Sequence, residues 1–120
     1  MSNAIPAVDT GPAAAIKQVR DGLGMSTSDV AQALNVEART VDRWEKGLAY
    51  PQQEGRQRLA ALLDLARAAT DFFAASADVH GWLRDPNRYL GGLTPLEAIR
   101  AGRTDRARAA LGVMQWGIGI

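Results

Sequence analysis

Residues 26–47 read STSDVAQALNVEARTVDRWEKG, two apolar-periodic stretches separated by a two-residue break. Val30, Ala31 and Leu34 fall at helical spacing before Asn35-Val36, and Val41 and Trp44 do so after it. That pattern commits the chain to two short helices meeting at a tight turn. Ser26 occupies an N-cap position, and Ser26-Thr27-Ser28-Asp29 has capping-box spacing with Asp in place of Glu. The second helix of the pair is expected over about Glu37 to Lys46, with Gly47 as its stop. Ala31 is small where the helices must cross. Val30, Leu34, Val36, Val41 and Trp44 form the wedge that fixes the angle between them.

The rest of the chain carries the same preference. Ala is the commonest residue, β-branched residues are sparse, and no run alternates with the period of a half-buried strand. The chain reads as all-α. A first helix is expected from Pro12 to Leu23, with Ile16, Val19 and Leu23 inward and Gly24 ending it. After Pro51 a long helix is expected over Glu54 to Ala75, with Leu59, Leu62, Leu63, Ala66, Ala69 and Phe73 on one face. Such a helix is roughly 30 Å long, enough to link two subdomains. A short helix follows near Ala77 to Leu83. Thr94-Pro95-Leu96-Glu97 is a strong start signal for another, ending at Gly102. Thr104 is expected to cap a last helix from Asp105 to about Met114. Residues 1–11 read as a disordered lead, and 115–120 as an apolar, glycine-broken tail.

Several classes of chemistry drop out. The chain has no cysteine and one histidine, His80, so disulfide scaffolds, thiolate metal sites and a multi-histidine site within one chain are excluded. No apolar run approaches the length of a membrane span, and no secretory leader is evident, so a cofactor-free cytoplasmic protein is expected. Asp78 and Asp85 near His80 hint at acid–base work, but no nucleophile completes a site. Lys and Arg total 14 against 13 Asp and Glu, a net of +1. Any contact with nucleic acid must therefore rest on local charge rather than on the field of the whole molecule.

Two helices and a tight turn is the arrangement in which a second helix enters the major groove. Arg39 and Arg43 lie one turn apart at the start of that second helix, with Thr40 between them in sequence. Thr27 and Ser28 offer hydroxyls or backbone N–H groups to a phosphate, and Lys46 reaches toward the flanking backbone. An ordinary three-helix packing with a charged wet face explains the same pattern. In detail, V-A-Q-A-L-N-V followed by T-V-x-R-W-E-K-G resembles the Xre (Cro/C1-type) helix-turn-helix family over about residues 13–65. The resemblance implies that Ala38, Arg39, Asp42 and Arg43 face base edges and that Thr27 and Lys46 touch phosphates. Glu37 departs from the family's usual Ser or Thr cap, and Asp42 adds a second anion to the same face. Glu45 is the family-typical acid, expected to pair with an Arg.

In the second half, Trp82, Leu83, Tyr89, Leu90, Leu93, Leu96, Ile99 and Leu111 are most simply core, and Gly91-Gly92 permits a turn with positive φ. The ordered pieces W-L, P-N, L-G-G, T-P-L-E and I-R-x-G, with a last helix before Gly117, resemble the toxin-binding domain of MbcA/ParS/Xre-type antitoxins. Arg103 stands where that pattern has an acid. Together the two resemblances imply an N-terminal Xre-like helix-turn-helix bundle, residues 12–65, linked by a long helix to a small helical toxin-binding domain, residues 66–120. The family's partners are RES-domain toxins that break down NAD⁺. The resemblance therefore implies an antitoxin that inhibits such a toxin and, as a homodimer, represses its own operon by binding operator DNA. It implies no cofactor, since no strand-associated G-x-G-x-x-G is present.

The C-terminal tail suggests a means of inhibition. Trp116, Ile118 and Ile120 are apolar anchors, and Gly117 and Gly119 permit close backbone approach. With Gln115 these residues are expected to plug the toxin's cleft, flanked by Arg100, Arg103, Arg106 and Arg108 for acidic partner groups. A tail folded onto its own helices, or paired in a homodimer, stands beside that reading. So does a DNA-binding repressor whose back half only dimerises, or an interaction module with a vestigial helix-turn-helix.

Overall fold

The computed structural model describes residues 11–117, and every regular element in it is helical. The lead expected over residues 1–11 lies outside the described residues except for Gly11, as does the end of the tail, 118–120. In chain order the helices are α1 (Pro12–Leu23), α2 (Thr27–Leu34), α3 (Ala38–Glu45), α4 (Gln53–Phe72), α5 (Ser76–Arg84), α6 (Pro95–Arg100) and α7 (Thr104–Gln115). A single 3-10 turn, Arg88–Leu90, lies between α5 and α6.

Local chemistry sets the boundaries. Pro12 opens α1, and Gly24 closes it in the left-handed region at φ 69°. Ala15, Ile16, Val19 and Leu23 are buried along one face. At α2 both halves of the capping box form: the Asp29 N–H donates to Ser26 Oγ at 3.0 Å, and the Ser26 N–H donates to Asp29 Oδ2 at 3.1 Å. Asn35, at φ 58°, makes the sharp turn into α3. Thr94 and Glu97 build the same box on α6, at 3.0 and 2.8 Å.

Three expectations are corrected. The long helix ends at Phe72, not Ala75, because Phe73 turns into extended backbone and packs beside Trp82, with ring centroids 6.0 Å apart. Its inward stripe includes Leu65, fully buried, while Leu63 is only half-buried. The stripe is wide because α4 is central, packing on α1, α2, α5 and α7. At α7, Thr104 is the first helical residue and Arg103 holds the cap position without a side-chain cap bond. Ala101, Gly102 and Arg103 join the helices, Gly102 turning at φ 81°, and the Arg103 N–H donates to Ala98 O at 2.8 Å.

The buried side chains of all seven helices form one cluster, from Ile16 and Leu23 through Leu62 and Leu65 to Ile99 and Leu111. No helix among the described residues is long and apolar enough to cross a membrane.

Candidate functional site

The front surface is built on α2 and α3. Burying Val41 and Trp44 turns the opposite face of α3 outward, so Ala38, Arg39, Asp42, Arg43 and Lys46 are exposed along one side. Thr40 is half-buried at the edge of this face. Lys46 Nζ lies 3.0 Å from Asp42 Oδ2, so one cation is paired and one anion masked. Among the described residues Arg39 and Arg43 make no ion pair within the chain. Two free guanidiniums one turn apart can make bidentate contacts with guanine edges or phosphates. At the start of α2, Ser28 is exposed and Thr27 half-buried beside the first-turn N–H groups. Glu37 caps α3 by backbone alone, with no side-chain bond, as expected where the family has Ser or Thr. Glu45 pairs with Arg20 of α1 at 3.0 Å.

The residues expected to meet acidic partner groups are dispersed. Arg100 reaches back across the molecule: its Nε and Nη2 donate to Asp29 Oδ1 at 2.9 and 2.6 Å. Asp29 is the one buried charged residue among the described residues. Burial pushes its carboxyl up, but bonds from the Ser26 backbone and the Arg100 guanidinium outweigh that and hold it below the usual carboxylate range. Arg100 thus serves the first turn of α2, beside Thr27 and Ser28. Arg103 pairs with Asp105, whose carboxyl that guanidinium holds low. Arg108 donates to Asp64 Oδ2 and to Gln115 Oε1, both at 3.3 Å. Arg106 is exposed. Gln115 belongs to the last turn of α7, not to a tail. Trp116 follows it 79% exposed, and Gly117 takes φ 65°. Ile118, Gly119 and Ile120 lie outside the described residues.

Beside Trp116 the structure shows an apolar surface that the sequence reading missed. Tyr89 and Leu93, expected in the core, are each 50% exposed, and Phe72 and Met114 are also open to solvent. Tyr89 and Leu93 flank the turn at Gly91 and Gly92, φ 70° and 97°. That turn is closed by Asn87, whose N–H donates to Leu93 O at 2.9 Å. So tight a loop cannot send both flanking side chains inward, and Leu90 takes the buried place. A groove of about 690 Å³ runs between this loop and α7, walled by Tyr89, Val113, Met114 and Gly117 among others. A second recess of about 480 Å³ lies where Phe72, Arg108 and Trp116 meet. One signal was legible: Met114 continues the inward face of Ala107, Ala110 and Leu111, one turn past its cover.

His80 packs against the joint between α1 and α2. Its ring lies on Gly24, where an added Cβ would stand 2.9 Å from ring atoms. Its Nε2 is buried with no hydrogen-bond partner. Among the described residues no three His, Asp or Glu side chains are grouped to hold a metal.

Residues 68–117 match the antitoxin Xre/MbcA/ParS C-terminal toxin-binding domain. A probable mycobacterial cidal antitoxin of Mycobacterium tuberculosis is 32% identical over 87 residues, 72% of this chain and 73% of that one. The chain belongs to the Xre/MbcA/ParS antitoxin family. The mycobacterial cidal antitoxin MbcA of M. tuberculosis is 29% identical to this antitoxin over 96 residues, 80% of this chain and 84% of MbcA. A chain of the M. tuberculosis MbcT–MbcA toxin–antitoxin complex superposes on it with a TM-score of 0.72, at 27% identity, covering 90% of this chain and 96% of that one. The exposed apolar groove of the antitoxin lies within the segment that matches the toxin-binding domain.

Proposed function

We propose that this antitoxin neutralises a cognate RES-domain, NAD-degrading toxin by covering its active site with the C-terminal region. In the same reading it represses its own operon in the cytoplasm, as a homodimer, through α2 and α3. Residues 12–65 read DNA and residues 66–120 bind the toxin. The observation that carries the inhibitory half is the overrun of α7. Its core-facing stripe continues beyond the elements that cover it, leaving Met114 in water beside Tyr89, and Trp116 stands open just past the helix end beside Phe72. An exposed aromatic anchor with an apolar ring and a guanidinium at its side, here Phe72 and Arg108, has the composition of an interface centre. The NAD chemistry belongs to the partner, and this chain supplies shape and burial.

Co-expression with the toxin encoded beside it tests the reading. The full chain should rescue growth and co-purify with the toxin, and a chain ending at Met114 should do neither. Trp116→Ala should weaken the complex by about 2 kcal/mol or more, roughly thirtyfold in Kd. Full protection by the truncated chain would remove the plug. Failure of any toxin to co-purify would favour a plain repressor whose back half only dimerises.

A further inference from the structure

The segment that matches the toxin-binding domain packs α5 on α1 and α6 on α2, and its polar contacts with the front half converge on one place. Among the described residues, every hydrogen bond between residues 68–117 and residues 11–52 ends on Gly24 or Asp29. Arg84 Nη2, on α5, donates to Gly24 O at 2.6 Å, and the His80 ring lies against the same glycine. Arg100, at the end of α6, donates from Nε and Nη2 to Asp29 Oδ1. The two grips bracket Ser26, Thr27 and Ser28, and Met25 between them is buried and adds an apolar pin.

The bracketed residues start α2. The Asp29 N–H goes to Ser26 Oγ and the Val30 N–H to Ser26 O. The Thr27 and Ser28 N–H groups precede these and have no acceptor within the helix, so they are what the first turn can offer to a phosphate. A helix of eight residues does not hold even its own shape in water, so contacts from elsewhere must aim it. Asp29 adds a hazard, because it places an anion in that same first turn. A bare carboxylate there would repel the phosphate that Thr27 and Ser28 approach. Its side chain is 10% exposed, and the Arg100 guanidinium cancels its charge through two N–H donors on one oxygen.

We infer that Arg100 is a positioning residue for operator binding: through Asp29 it fixes the start of α2 and neutralises the anion there, while Arg84 and His80 brace the joint behind it. An arginine of the toxin-binding segment thereby serves the DNA-reading half. The inference rests on the DNA-binding half of the reading above. It extends the DNA-reading unit past residues 12–65, because a front half cut away from α6 keeps Asp29 and loses its counter-ion.

Titration of the full chain onto a duplex carrying the sequence upstream of its own gene, at fixed salt, tests it. Arg100→Gln should raise the operator Kd about tenfold at a temperature where its helical spectrum matches the wild type. D29N/R100Q should recover to within about threefold of wild type, because the harm requires the Asp29 charge and Asn still accepts from the Ser26 N–H. An unchanged Kd in folded R100Q would overturn the inference and leave the pair to stability alone. A loss that persists in D29N/R100Q would also overturn it, by making Arg100 a phosphate contact in its own right. A wild type that binds no duplex would remove the DNA-binding reading itself, and amide exchange of the free protein keeps the two failures apart. In R100Q the Asp29 and Val30 amides should exchange about tenfold faster while the Val41 and Trp44 amides of α3 change little. Equal acceleration in both helices would show that Arg100 does not hold the start of α2.

Discussion

Asp29 accepts three hydrogen bonds on one carboxylate in a nearly dry place, one from the Ser26 N–H that it caps and two from Arg100. Taking a carboxylate out of water is tolerable only because both oxygens are hydrogen-bonded and one faces a guanidinium. Arg100→Met leaves the charge buried and half-satisfied. Arg100 itself is partly in water, so screening limits the loss to about 1–2 kcal/mol at pH 7. The pH dependence has a definite sign. The folded-state carboxyl lies below its ordinary value. Its stabilisation is therefore full above the unfolded value and is lost as pH falls from about 4 downward. Arg100→Met should flatten that acid limb, because the variant's carboxyl no longer titrates low. Urea unfolding at pH 7 and pH 3.5 measures both effects. A variant as stable as wild type at pH 7 would show the pair to be incidental.

Helix boundaries were legible wherever a short-range signal fixed them. Pro12, Ser26 with Asp29, Asn35, and Thr94 with Glu97 each act within four residues, and the structure uses every one. Thr104 is a local exception, moved into the helix by the turn at Gly102, and the other errors fall where packing beyond the helix decides. The end of α4 depends on Phe73 meeting Trp82, and the exposure of Tyr89 depends on a loop closed by Asn87. Arg100 was legible as a cation but not as a partner of a residue on α2, 71 positions away. The joint between α1 and α2 shows how such contacts lock an element. Gly24 holds a left-handed turn while the His80 ring presses on it and Arg84 Nη2 donates to its carbonyl at 2.6 Å. Gly24→Ala meets two obstacles, about 1 kcal/mol of backbone strain and a steric clash of similar size or larger. Pairing it with His80→Ala should relieve the clash and leave the strain. Thermal denaturation of the four proteins of that cycle should give a favourable coupling. Strict additivity would mean that the ring simply moves aside.

At the scale of the molecule, a near-neutral chain is assigned two macromolecular partners, and its surfaces divide accordingly. Three cations of the back half are held by internal partners, Arg100 by Asp29, Arg103 by Asp105 and Arg108 by Asp64, while Arg67, Arg88 and Arg106 are exposed. The most open large side chains there are apolar, Trp116, Tyr89 and Leu93. The open face of α3 is polar, with two guanidiniums that make no ion pair among the described residues. If the front half binds DNA as proposed, it does so with few charges, and the salt dependence should show it. Each protomer brings Arg39 and Arg43, with Lys46 partly neutralised by Asp42. If all of these met phosphates, a pair of protomers would neutralise about four to six, a slope of log K against log salt of roughly −4 to −5. If Arg39 reads a guanine instead, the slope falls toward about −3, and Arg39→Ala should cost about 1–3 kcal/mol at the matched operator with little change in slope. Lys46→Ala should lower affinity equally on matched and scrambled sites, and only slightly, because Asp42 already holds the ammonium. Operator titrations at 50 and 200 mM salt, on matched and scrambled duplexes, separate the two roles. A steep slope with Arg39→Ala indifferent to sequence would make the open face of α3 a phosphate grip, and recognition of the operator would have to come from somewhere other than this helix.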